Sequence, residues 1–124
     1  MTFLDTSLLI DALTGPRRSA AALRTAIHDG ERILLPTLVL YEWLRGPRLP
    51  QELDAQESLF PNEAAVAFGW QAGALSGKLY RSLPRPRGRE IDIAVAACAI
   101  THEAALWTLN TADFRDIPGL RLYK

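Results

Sequence analysis

The sequence predicts an α/β domain: an α/β/α sandwich around a mostly parallel sheet of four or five strands. Three observations carry that expectation. Short apolar runs at Phe3-Leu4, Ile33–Leu35 and Ala105–Thr108 have the length and composition of buried strands. Helical stretches long enough for crossovers separate them, the alternation that builds parallel sheets. The chain has 124 residues, 48% apolar and 23% charged, which suits one domain (residues 1–124) with its own core.

The opening run ends at Asp5, where a strand gives way to Thr6-Ser7 and a helix through Leu8–Leu13. Gly15 punctuates, and Pro16 at a first helical turn suits a second helix through Ser19–Ile27, stopped by Gly30. Ile33-Leu34-Leu35-Pro36 reads as the second strand. Thr37 then caps a helix over Leu38–Leu44, closed by Gly46-Pro47. Residues 50–60 and 62–82 read as two further helices divided by Pro61. The stretch Ser82–Arg89, broken by Pro84, Pro86 and Gly88, is a loop. Ile91–Ile100 is apolar all round and mostly small, the pattern of a buried helix whose neighbours approach closely. Ala105–Thr108 is the third strand, Asn110–Phe114 a turn or short helix, and Leu120–Tyr123 alternates like an edge strand.

Fourteen basic and fourteen acidic residues cancel, which excludes a uniformly basic nucleic-acid scaffold but not a local basic patch. A single Cys forms no internal disulfide, and nothing demands an oxidising compartment. The start, Met1-Thr2-Phe3-Leu4-Asp5, lacks the basic n-region of a signal peptide, and no apolar run reaches the roughly 20 residues of a membrane span. The expected location is the cytoplasm.

Four carboxylates carry the chemistry. Asp5 closes a strand, Glu42 interrupts an apolar helix, Asp92 heads the most apolar helix, and Asp113 follows the third strand. Each has an ordinary explanation: Asp5 and Asp92 fit helix N-termini, Glu42 fits a solvent-facing side, and Asp113 fits a polar turn. Together they point elsewhere. Ligands of open parallel sheets bind beyond the carboxyl ends of strands, so Asp5 and Asp113 fall on one edge, and the other two lie on helices packed against it. Like charges at about 4 Å cost roughly 4 kcal/mol per pair at an effective dielectric near 20, so such a cluster calls for a counter-cation. An oxygen-only, sulfur-free donor set suits Mg²⁺ or Mn²⁺, and the matching chemistry is phosphodiester hydrolysis. His28 and His102 have no partner by spacing and read as surface or structural residues. Thr6, Ser7, Thr108 and Asn110 are candidates to orient the acids, although each also suits a cap or turn. Glu90, two residues before Asp92, is a further candidate for the cluster or a surface partner of the adjacent arginines. Arg81, Arg85, Arg87 and Arg89, in or beside the Ser82–Arg89 loop, are candidates to grip substrate phosphates.

Four motifs carry a resemblance. Leu4-Asp5-Thr6-Ser7 resembles the first motif of PIN-domain proteins, and Tyr41-Glu42-Trp43-Leu44-Arg45-Gly46 the second. Asp92-Ile93-Ala94-Val95-Ala96-Ala97-Cys98-Ala99-Ile100 is similar to the third. Leu106-Trp107-Thr108-Leu109-Asn110-Thr111-Ala112-Asp113-Phe114, followed by Ile117-Pro118-Gly119-Leu120, is similar to the fourth and the closing strand. The fourth acid is Asp113 or, in its place, Asn110. Short chains of this kind resemble the VapC toxins of bacterial toxin–antitoxin pairs. That resemblance implies a PIN-like fold, acids holding Mg²⁺ or Mn²⁺, cleavage of RNA, a homodimer and a cognate antitoxin that covers the site. A non-toxin RNA-processing nuclease and a catalytically dead binding module share the fold. A signalling receiver domain does not fit, because the second strand ends in Leu35-Pro36 and the only lysines are Lys78 and Lys124.

Overall fold

The computed structural model describes all residues, 1–124, and contains four strands and six α-helices. Their order is β1 (Thr2–Leu4), α1 (Thr6–Leu13), α2 (Ala20–His28), β2 (Ile33–Leu34), α3 (Thr37–Arg45), α4 (Pro50–Leu59), α5 (Trp70–Ser82), α6 (Glu90–Thr101), β3 (Ala105–Trp107) and β4 (Arg121–Leu122). Single 3-10 turns stand at Asn62–Ala64 and Thr111–Asp113. The sheet order is β2-β1-β3-β4 with every pair parallel. The chain therefore leaves β1 on one side for β2 and returns on the other for β3, which makes the β1/β3 boundary the topological switch point.

Register fixes what happens there. Leu4 pairs with Trp107, so the next residues, Asp5 and Thr108, emerge side by side, joined by the Asp5 N–H to the Trp107 carbonyl (2.9 Å). The core supports both strands: Phe3, Leu4 and Leu106 have no solvent exposure, nor do Val95 through Ala99 of α6. Small side chains along α6 let β3 and α5 pack on it closely. Asp92 is thereby held at the end of a rigid element.

Three local expectations change. Pro16 lies in a turn and α2 begins four residues later, with Ser19 Oγ tied to Asp11 Oδ2 of α1 (2.6 Å). Pro36, not Thr37, occupies the N-cap of α3. The stretch 62–82 is not one helix: after the 3-10 turn, Val66 runs parallel to Pro36 in an isolated bridge, with Val66 N–H on Leu35 O (2.8 Å) and Thr37 N–H on Val66 O (2.9 Å). That bridge satisfies backbone groups at the end of β2 which a helix over Val66 would leave unpaired.

Candidate active site

Asp5 is 4% exposed. It stands at the N-cap of α1 with extended φ/ψ (−78°, 158°), yet its carboxylate makes no capping hydrogen bond. Two hydroxyls address Oδ2 instead: Thr108 Oγ1 donates at 2.7 Å and Ser7 Oγ at 3.0 Å. Those hydroxyls are themselves held, since Asn110 N–H donates to Thr108 Oγ1 (3.0 Å) and Leu109 N–H to Ser7 Oγ (3.1 Å). Both donors thus meet one oxygen, which leaves Oδ1 without a protein donor. Asn110 takes part through its backbone.

Glu42 is half-buried on α3 and is oriented by Thr6, whose Oγ1 donates to Oε1 at 2.6 Å. Exposed Arg45, one turn on, reaches Oε2 at 3.4 Å and lies 5.1 Å from the Tyr41 ring centre. Asp92 sits in the first turn of α6. Its carboxyl is pushed up to about 6, first by burial, then by the negative charges of Asp5, Glu42 and Asp113, with Arg89 pulling the other way. All four acids therefore share one electrostatic neighbourhood. Asp113 is exposed on the turn after β3. No three His, Cys, Asp or Glu side chains stand close enough together here to ligate one metal ion.

Glu90 turns from the cluster into the loop, where its own backbone N–H and that of Gly88 (3.2 Å) hold its carboxyl below the usual range. Arg85 and Arg89 line an open cleft of about 420 Å³ together with Asp113 and Asp116. Arg81 and Arg87 are exposed, Arg87 close enough to Glu90 to favour its charge. The histidines stand outside the site: His28 is exposed at the end of α2, and His102 Nδ1–H donates to the Cys98 carbonyl (2.9 Å) beside Phe3. Sequence reasoning missed the engagement of Arg89, described below, and of Arg48, which stacks 4.2 Å from the centre of the buried Trp43 ring.

A family model described as PIN domain matches residues 2–120. The chain belongs to the PIN-domain family. It is 33% identical to Ribonuclease VapC19 of Mycobacterium tuberculosis (strain ATCC 25618 / H37Rv), over 98% of each chain. Among solved structures, its fold is similar to a chain of DNA-bound VapBC from Salmonella typhimurium, with a TM-score of 0.81, 20% identity and coverage of 98% and 96%. It is similar also to VapBC2 of Rickettsia felis bound to a promoter DNA fragment, with a TM-score of 0.75, 20% identity and the same coverage.

Proposed function

We propose that this chain is a Mg²⁺- or Mn²⁺-dependent endoribonuclease and the toxin of a toxin–antitoxin pair. The observation that carries the proposal is that Asp5, Glu42 and Asp113 lie near enough to Asp92, around the carboxyl ends of β1 and β3, for their charges to raise its carboxyl, with no imidazole or thiol among them. The full-length likeness to a VapC ribonuclease supports the choice of RNA as substrate.

The residues fit a hard divalent cation. Every donor is an oxygen, Asp5 keeps Oδ1 free, and the burial and neighbouring acids that raise the Asp92 carboxyl are the terms a bound positive charge would offset. Asp113 is exposed and the Arg45 contact of Glu42 is long, so neither carboxylate is locked away from a cation. Asp5 and Asp92 would be the fixed ligands, with Glu42 and Asp113 completing the set. A bound cation supplies an activated water and neutralises charge on the phosphate in the hydrolysis. The chain's own part is orientation: Thr108 and Ser7 fix Asp5, Thr6 fixes Glu42, and α6 fixes Asp92. Arg85 brings positive charge to the rim, where phosphate contacts give affinity and register without reading sequence.

The antitoxin has a surface to meet. Leu13, Leu23, Ile27 and Leu59 of α1, α2 and α4 line an apolar groove rimmed by Arg17 and Arg24. The groove suits an amphipathic helix with acidic residues opposite those arginines.

Incubating the purified chain with structured RNA and Mn²⁺, with and without a chelator, tests the enzyme reading, using Asp5→Asn as the control. Cleavage by wild type alone, abolished by chelation, is expected; chelator-resistant cleavage, or none by wild type, rejects it. Co-expression with a neighbouring small reading frame tests the toxin reading separately: a complex on gel filtration and rescue of growth are expected.

A further inference from the structure

Arg89 stands three residues before Asp92, at the N-cap of α6, and its guanidinium is committed. Nη2 donates to Asp116 Oδ1 at 2.7 Å and to the Asp113 carbonyl at 2.9 Å. Nη1 donates to Asp116 Oδ2 at 3.1 Å and to the Pro84 carbonyl at 3.5 Å. The fork matches the carboxylate bidentately, a geometry only arginine offers. One side chain thus ties together the loop before α6, the start of α6 and the turn that carries Asp113. Phe114 and Ile117 root that turn in the core, but its acid-bearing face is exposed.

Arg85 differs. It makes no ion pair or side-chain hydrogen bond with the protein, its backbone is in the left-handed region (φ 54°), and its side chain lines the cleft beside Asp113. We infer that Arg89 is a positioning residue that pins the Asp113–Asp116 turn to the start of α6 so that Asp113 faces Asp92, leaving Arg85 as the arginine of this cleft that meets substrate phosphate. This division of labour rests on the nuclease reading of the four acids. It also reassigns Arg89, which by sequence alone falls among the phosphate-gripping candidates.

Arg89→Lys keeps the charge and loses the fork, and Asp116→Asn removes the charged partner of the fork while leaving the four acids and Arg85 in place. Three quantities separate the roles: Mn²⁺ affinity by calorimetry without RNA, kcat against KM for RNA cleavage, and amide exchange over residues 111–117. Both variants are expected to weaken Mn²⁺ binding and lower kcat, each by about tenfold. KM and the salt slope of RNA binding are expected to hold, while the Phe114 amide, bonded to the Thr111 carbonyl, exchanges faster. Arg85→Ala is expected to do the reverse, raising KM and flattening the salt slope by about one counterion with Mn²⁺ affinity unchanged. An Arg89→Lys variant that flattens the salt slope and spares Mn²⁺ affinity would overturn the assignment. So would unchanged exchange over 111–117, which can be read even in a chain that cuts nothing. Wild type that neither binds Mn²⁺ nor cleaves RNA rejects the nuclease reading itself.

Discussion

Thr108 donates a 2.7 Å hydrogen bond to the Asp5 carboxylate across 103 residues of sequence, at the point where β1 and β3 run out side by side. A hydroxyl and a carboxylate that each suit a local turn are spent on one another. The bond is buried and charge-assisted, the type that contributes most.

Thr108→Val keeps the shape and deletes the donor. Unfolding free energy is expected to fall by about 2 kcal/mol, and Mn²⁺ affinity by about tenfold, because a freed Asp5 rotates. Thr108→Ser restores the hydroxyl and most of both quantities. Urea melts and calorimetry check this; a Val variant with wild-type Mn²⁺ affinity would show that Asp5 needs no orientation.

The raised Asp92 carboxyl gives a pH dependence with a definite sign. Its ordinary value is 3.8 and its value in the folded chain is about 6, so between those limits the folded state holds a proton that the unfolded state has lost. Stability of the metal-free chain therefore falls as pH rises from about 4 to about 6 on account of this group, then levels off. Asp92 is partly exposed, so the slope is modest. Asp92→Asn should flatten it, as read by denaturant melts across that window. A variant whose stability keeps the wild-type pH slope would assign the effect to another group.

Two glycines predict opposite signs. Gly77 lies inside α5 with open space where a Cβ would stand, so Gly77→Ala should stabilise by about 0.5–1 kcal/mol. Gly88 has equal room but φ +84°, and Gly88→Ala should destabilise by about 1 kcal/mol. Paired thermal melts decide it. A destabilised Gly77→Ala would mean that a partner surface covers α5.

The alternation of strands and helices was legible because buried strands and a small-residue helix announce themselves locally: Phe3-Leu4, Ala105–Trp107 and Ile91–Ile100 fall where periodicity puts them. Val66 was not. Its role is one parallel bridge to Pro36, a tertiary pairing with no signature in the Ala-rich sequence around it. At the site, residue types marked the acids, but their partners depended on register. Asp5 at an N-cap predicts a capping carboxylate, and only the in-register emergence of Thr108 turns it away. Arg89 and Arg85 share one arginine-rich loop and are indistinguishable by sequence. Asp116, reached across 27 residues, is what separates them.

The central claim is that Asp5, Glu42, Asp92 and Asp113 repel one another until a cation joins them, and melting of the metal-free and Mn²⁺-loaded chain at neutral pH tests it most directly. Wild type should gain several degrees in saturating Mn²⁺, since a ligand at 100 times its Kd adds about 2.7 kcal/mol. Asp92→Asn should melt at or above wild type without metal, because it removes a like charge, and both Asp92→Asn and Asp5→Asn should gain little when Mn²⁺ is added. A metal-free Asp92→Asn that melts well below wild type, or either variant gaining as much from Mn²⁺ as wild type does, would contradict the account.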